Sequence, residues 1–231
     1  MPSALDLVDE AIADLQARLN LNPSATKNVG GGGNKKQPPK KEKKPNNNAG
    51  NKNQKKANED QPDICKLEFK VGVITKVWTH ETADKLYCEE IDVGEAEPRQ
   101  VASGLRPHFT LEQMQGQRLL VVANLKAKNL VGFKSHGMVL CAAQPKEGGE
   151  GELVEFVEPP ADAPIGEVVY FEGLPKPEPL SATQVDKKKI FQVCADGMKT
   201  NDDCVATWNG HAFMTSAGPC KAKTVKGGQC R

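Results

Sequence analysis

Hydrophobic positions follow three different rhythms along the chain. Within Ser3–Leu21, Leu5, Val8, Ile12, Leu15 and Leu19 recur at spacings of three and four, which is a single stripe on a helix. Ser3 with Asp6 suits a capping box, and Pro23 closes the segment. The pattern predicts an amphipathic helix over 1–22. A helix that short is marginal alone, so its stripe must dock, either on a partner or back on the rest of the chain. The long polar stretch that follows favours the partner. Residues 23–60 have no rhythm: Gly30–Gly33, Pro38-Pro39 and Asn46–Asn48 forbid regular structure and predict a disordered, lysine-rich linker. From Asp63 onward the period shortens. Strands are predicted over Leu67–Ile74, Tyr87–Gly94, Arg99–Ser103, Arg118–Ala123 and Gly137–Ala142, with Thr110–Met114 as a short helix or turn. Gly72, inside the first strand, predicts a bulge or a barrel corner.

Short strands at this spacing around one helix predict a mainly β fold, a small closed barrel of oligonucleotide-binding type over 64–168. Periodicity alone reads much the same for a sandwich. Prolines at 175, 177 and 179 lead into a further β-rich stretch, in which Ile190-Phe191 reads as the start of an apolar strand. Residues 169–231 are therefore expected to form a C-terminal extension packed on the barrel.

Charge changes this picture because it is unevenly distributed. The formal net charge of +1 conceals −3 over residues 1–22, +9 over 23–58 and −5 over the remainder. Between Glu112 and Glu147 no acidic residue occurs, yet Arg118, Lys126, Lys128, Lys134 and Lys146 do. Such a window suits a polyanion better than a small neutral substrate. The seven cysteines are odd in number and contain no C-x-x-C pair, so reduced thiols are expected rather than a metal site. The N-terminus lacks an apolar signal core and no run approaches a membrane span, which predicts a cytosolic protein without a membrane partner. His80, His108, His136 and His211 lie in dissimilar contexts, with no nucleophile elbow and no Walker or dinucleotide glycine motif. No enzyme activity and no cofactor are expected.

Several separated motifs then carry a resemblance. His80-Glu81-Thr82-Ala83-Asp84-Lys85-Leu86-Tyr87, Glu89-Glu90-Ile91-Asp92-Val93-Gly94-Glu95 and Arg99-Gln100-Val101-Ala102-Ser103-Gly104-Leu105 stand in the order found in the tRNA-binding domain of endothelial monocyte-activating polypeptide. Asn124-Leu125-Lys126 and Lys134-Ser135-His136-Gly137-Met138-Val139-Leu140-Cys141-Ala142 continue the series. Lys187-Lys188-Lys189-Ile190, Thr200–Thr207 and Gly218–Ala222 resemble the C-terminal extension of the eukaryotic form. The resemblance spans about 64–231. It implies an oligonucleotide-binding barrel followed by a pseudo-dimer extension, which a second subunit replaces in bacterial relatives. It also implies structure-specific, largely sequence-independent tRNA binding in support of aminoacyl-tRNA synthetases. A helix, a lysine-rich linker and this domain are similar to the free-standing auxiliary proteins of multisynthetase complexes, whose N-terminal helix engages a synthetase. Two departures stand out. The proline usual after His80 is Glu81, and Val131 precedes Gly132 where an arginine is usual, which implies one phosphate contact fewer.

The candidate tRNA contacts follow from both lines. Lys126, Lys128 and Lys134 are spaced across one loop, as phosphate contacts along a curved backbone would be, or as ordinary solvated lysines. Asn124 and Ser135 sit at strand ends and either bond ribose or phosphate oxygens or cap turns. Lys85 and Arg106 lie in predicted loops. Lys187, Lys188 and Lys189 are either a solvated turn or an RNA contact. Met138 is expected in the barrel, with contact to a splayed base as the alternative. The expected function is a non-catalytic auxiliary protein that binds tRNA by shape and backbone and delivers it to, or scaffolds, aminoacyl-tRNA synthetases. A second function compatible with the resemblance is the precursor of a secreted cytokine-like polypeptide, whose active segment corresponds to Lys70–Thr75.

Overall fold

The computed structural model describes residues 60–146 and 148–231. The predicted helix over 1–22 and all but the last residue of the 23–60 linker lie outside the described residues. A single 3-10 turn, Asp63–Lys66, leads into a mainly β fold. The first four strands are β1 (Phe69–Thr79), β2 (Tyr87–Asp92), β3 (Arg99–Ser103) and β4 (Arg118–Val122). A short helix, α1 (Leu111–Met114), stands between β3 and β4. It is nucleated by a capping box, in which Thr110 N–H donates to Gln113 Oε1 at 2.8 Å. A hairpin of β5 (Lys128–Leu130) and β6 (Phe133–Ser135) follows, then β7 (Met138–Val139) and β8 (Cys141–Pro145).

Five strands form one curled sheet in the order β3-β2-β1-β4-β7. The hairpin's exit closes it against β3: His136 N–H donates to Gln100 O at 2.8 Å and Ala102 N–H donates to Ser135 Oγ at 3.0 Å. Arg99 reinforces that seam by donating to Ala123 O and, at 3.2 Å, to His136 O. The interior holds Ile74, Tyr87, Ile91, Val101, Leu119, Val121 and Val139 among others, capped by Met114 of α1. This is the oligonucleotide-binding type of barrel.

The predicted run Gly137–Ala142 is not one strand but two. β7 pairs with β4, whereas β8 pairs with β9 (Glu152–Phe156) in a different sheet. Leu140 lies at the switch: its N–H donates to Leu120 O, and its carbonyl accepts from Val157 N–H. The second sheet takes in β10 (Tyr170–Phe171), β11 (Met198–Thr200), β12 (Ala206–Trp208), β13 (His211–Thr215) and β14 (Gly218–Pro219). The last strand, β15 (Gln229–Cys230), inserts between β11 and β8.

A second core fills the space between this sheet and the outside of the barrel. Phe69 of β1, Phe171 of β10 and Phe213 of β13 meet edge to face, with centroids 4.9–6.0 Å apart. Val71, Leu120 and Val122 join them. All seven cysteines are free and buried. Burial pushes the Cys65 thiol up to about 11 and those of Cys194, Cys220 and Cys230 up to about 12, so they behave as small apolar residues.

Two local expectations are corrected. The bulge falls at Thr75, where the β1–β2 register shifts between Ile74 and Lys76. Gly72 itself pairs regularly with Leu119, and it is glycine because an added Cβ would stand 3.0 Å from Ile91 Cγ2. Ile190–Ala195 is a helix, α3, not a strand, and it follows α2 (Ala182–Lys188). Two polar contacts fix the start of α2, with Ser181 N–H and Oγ both donating to Gln184 Oε1. Lys189, at φ 52°, turns the chain from α2 into α3. Tertiary burial of Ile190, Phe191 and Cys194 outweighs the strand propensity of the Ile-Phe pair.

Phe213 is fully buried between two other phenylalanines. Phe213→Ala should therefore cost about 3–5 kcal/mol of unfolding free energy, read from the urea midpoint at constant m. A loss below about 1 kcal/mol would show that the second sheet does not seal this face.

Candidate nucleic-acid interface

The bulge at Thr75 decides which side chains of β1 face solvent. Before it, Ile74 points into the barrel; after it, Val77 does, three residues on. Lys76 and Trp78 are thereby turned outward, opposite Glu90 and Cys88 of β2. The extra residue is held from both sides: Thr75 Oγ1 donates to Glu90 O and Gln115 Nε2 donates to Thr75 O, each at 2.9 Å.

The β5–β6 hairpin folds over this outer face. Its registers pair Lys128 with Ser135, Asn129 with Lys134 and Leu130 with Phe133. Phe133 and Ser135 lie on the face turned to the barrel, where Phe133 meets Trp78 edge to face at 6.0 Å. Lys134 stands on the opposite face and is exposed, as is Lys128 at the hairpin's open end. Among the described residues neither lysine meets a carboxylate. The two-residue turn has φ 50° at Val131 and φ 90° at Gly132. Both central residues are thus left-handed, as a type I′ hairpin demands, and a β-branched residue occupies one of those places.

The other sequence candidates separate into two groups. Asn124 and Ser135 are engaged within the fold. Asn124 is 8% exposed; its Oδ1 accepts from Glu68 N–H, and its Nδ2 donates to Lys66 O and Leu180 O at 2.9 and 3.0 Å. Ser135 accepts from Ala102 N–H and donates to Gly137 O at 3.1 Å. These are turn and seam anchors, and Asn124 binds the barrel to the segment that starts α2. Met138 is half-buried against the second core.

The remaining candidates are cations, all exposed except the half-buried Arg106. Lys126 Nζ lies 3.3 Å from Asp186 Oδ2 at the end of α2, an exposed pair of little strength. Lys187, Lys188 and Lys189 directly follow Asp186, at the end of the helix that meets Lys126 two residues before the hairpin. Lys85 sits on the β1–β2 turn, and Arg106, 3.8 Å from Asp84, approaches the same turn from β3. Several other cations among the described residues are paired with carboxylates. Arg99 grips Glu95 with two bonds at 2.7 and 2.8 Å, Lys70 adds a third at 2.9 Å, and Glu95 is held down to about 2 by the Arg99 contact first. A shallow depression lined by Val77, Leu111, Glu112 and Gln115 carries a carboxylate and no cation, the wrong sign for a phosphate. No group of three His, Cys, Asp or Glu side chains able to hold a metal occurs among the described residues.

Sequence reasoning passed over Trp78 and Phe133. The signal was present: Ile74 and Val77, three apart within a strand, announce a phase change that turns the intervening alternation outward.

A curled five-strand barrel with a lysine-bearing hairpin over its outer face is the build of a nucleic-acid-binding barrel. The family model described as a putative tRNA binding domain matches residues 69–168. The solved C-terminal domain of Plasmodium vivax p43 superposes with a TM-score of 0.66 at 33% identity, covering 73% of this chain and 98% of that one. The chain belongs to this tRNA-binding-domain family. Curated relatives include cytoplasmic tyrosine–tRNA ligase of Gallus gallus, 40% identical over 163 residues. Another is aminoacyl tRNA synthase complex-interacting multifunctional protein 1 of Mus musculus, 39% identical over 164 residues. Each match takes in 71% of this chain, but only 30% and 50% of the respective relative. The chain thus spans half the length of these relatives or less.

Beneath the hairpin-covered face lies Glu89, fully buried, accepting a hydrogen bond from Ser103 Oγ while its Oε2 has no partner among the described residues. Burial pushes its carboxyl up to about 8, from 4.5. Because the folded pKa is the higher one, the protonated form stabilises the barrel below about 4.5, and that stability is lost as pH rises towards and through 8. Glu89→Gln removes the titration and keeps an acceptor for Ser103. The variant should gain stability relative to wild type between pH 5 and pH 9, measured by urea unfolding of both proteins at each pH. An unchanged difference would refute the buried-carboxyl assignment.

Proposed function

We propose that this protein is a non-catalytic tRNA-binding auxiliary factor that delivers tRNA to, or scaffolds, aminoacyl-tRNA synthetases. The observation that carries the proposal is the juxtaposition of Lys128 and Lys134, which meet no carboxylate among the described residues, with Lys126 two residues before the hairpin and the lysines that follow its partner Asp186. Cations spread over a curved surface suit a phosphate backbone followed through space rather than a base sequence. The names of the relatives support the setting: one charges tRNA, and the other interacts with a synthase complex. Lys126, Lys128, Lys134, Lys85, Arg106, Lys187, Lys188 and Lys189 form the proposed tRNA surface. Asn124 and Ser135 shape it by holding main chain in place.

The remaining parts of the reading concern residues 1–59. The lysine-rich residues 23–58 add phosphate contacts and raise the encounter rate, which matters because residues 59–231 carry −5. The segment 1–22, predicted to be helical, engages a synthetase, so bound tRNA is held at high effective concentration near it. A cytoplasmic location belongs to the same reading. No helix among the described residues is long and apolar enough to cross a membrane. The secreted cytokine-like alternative is not favoured. Lys70–Thr75 lies within β1, between β2 and β4, with Val71 and Ile74 fully buried, so the folded barrel uses this segment as a structural strand.

Two measurements test this. Reversing both hairpin charges, Lys128→Glu with Lys134→Glu, should weaken tRNA binding by roughly ten-fold or more and lower the slope of log affinity against log salt by about two. Unchanged affinity and slope would remove the hairpin from the interface. Pull-down from cytosol with residues 1–22 deleted should retain tRNA and lose synthetases; loss of neither would sink the tether.

A further inference from the structure

The lysines account for backbone attraction but leave the aromatic pair on the same face without a role. Trp78 and Phe133 are both half-buried, whereas the core phenylalanines Phe69, Phe171 and Phe213 are at most 1% exposed. The Thr75 bulge turns Trp78 out of the barrel, and a hairpin turn with left-handed Val131 sets Phe133 against it at 70° between ring planes. Lys76 Nζ stands 4.9 Å from the centre of the Trp78 ring and, among the described residues, pairs with Glu90 at 3.5 Å at the solvent edge. A rim pair of that kind is weak and yields readily to a phosphate.

An outward indole braced by a phenyl edge, with an exposed ammonium beside it, has the chemistry of a nucleobase platform. Every base offers a π-face to the ring, and the ammonium meets the adjoining phosphate. Bases inside a duplex are already stacked on one another, so such a platform takes only an unpaired base from a loop, bulge or end. The position fits, because the barrel face and hairpin that carry the pair also carry Lys128 and Lys134.

We propose that Trp78, braced by Phe133 and flanked by Lys76, stacks one unpaired base of the bound RNA. The barrel then reads a single-stranded element in addition to the backbone. This rests on the RNA-binding reading above, and the experiment separates the two. Full-length wild type, Trp78→Ala and Trp78→Phe are titrated at fixed salt with tRNA and with a blunt-ended RNA duplex that has no unpaired base. Trp78→Ala should weaken tRNA binding by roughly ten-fold, the effect of removing one base–aromatic stack, while duplex binding is unchanged and Trp78→Phe keeps most of the tRNA affinity. Wild type that binds neither probe overturns the RNA reading itself. Wild type that binds tRNA no better than Trp78→Ala does overturns the stacking alone, as does an equal loss on both probes, which would make Trp78 only a strut for the hairpin. A second readout does not depend on the alanine variant folding. The chain has two tryptophans, so Trp208→Phe leaves Trp78 as the sole indole. Its fluorescence should be quenched by a short unstructured RNA and not by the duplex; absence of quenching with the unstructured RNA overturns the proposal, as would capture of a protein ligand at this patch in place of RNA.

Discussion

The structure depends on β4 being covered on both faces. Leu119 and Val121 point into the barrel, while Leu120 and Val122 point out of it, and all four are fully buried. A small barrel on its own would leave the outward pair wet, together with Phe69 and Val71 on the neighbouring strand. Each such side chain contributes about 1.5–3 kcal/mol when covered. The second sheet supplies the cover through Phe171 and Phe213, and Leu140 hands the chain from one sheet to the other without an intervening loop. The final residue closes the arrangement, since Arg231 and Cys141 exchange both main-chain hydrogen bonds. A barrel with this β4 needs something on that face, whether a second subunit or, as here, its own C-terminal residues.

The same packing assembles the proposed tRNA surface. The Lys126–Asp186 contact is too exposed to hold α2 in place by itself. What holds α2 is Asn124, whose amide bonds Lys66 and Leu180 carbonyls from two segments, and the burial of Val185, Ile190 and Phe191. Lysines more than fifty residues apart in sequence thus share one region because of apolar burial beneath them, not because of attraction between them. Charge repulsion among these cations is tolerated for the same reason.

Much of the barrel was legible in the sequence. The alternations at Tyr87–Gly94 and Arg99–Ser103 became β2 and β3 almost unchanged, and Thr110–Met114 carried its own capping signal. Where tertiary context decides the outcome, legibility ended. Gly72 looked like a bulge because glycine in a strand usually marks one, yet the bulge belongs to Thr75, which satisfies its extra main-chain carbonyl through Gln115. Ile190-Phe191 has strand propensity and became helical because the second core buries one side of it. Asn124 and Ser135 were visible as polar residues at strand ends, but their partners come from Glu68, Lys66, Leu180 and Ala102, which no local pattern reveals. The lysines of the proposed surface were visible one by one; their convergence on one region was not.

Val131 sharpens the balance between charge and shape at the hairpin. An arginine at that place would add a phosphate contact at the tip, and its energy would weaken with salt. Val131 offers no charge, and it holds a left-handed conformation that β-branched residues rarely adopt. The neighbouring Gly132 shares the turn, and the residue after it is Phe133, seated on Trp78. The tip therefore acts through geometry: it fixes where the aromatic edge and the flanking lysines stand. Contacts between rings and bases are far less sensitive to ionic strength than phosphate contacts are. In the proposed complex, a surface with one fewer tip cation and an outward aromatic pair shifts part of its recognition from long-range attraction to close-range shape. Long-range attraction then falls to lysines elsewhere, and the +9 concentrated in residues 23–58 is the largest such reserve in the sequence.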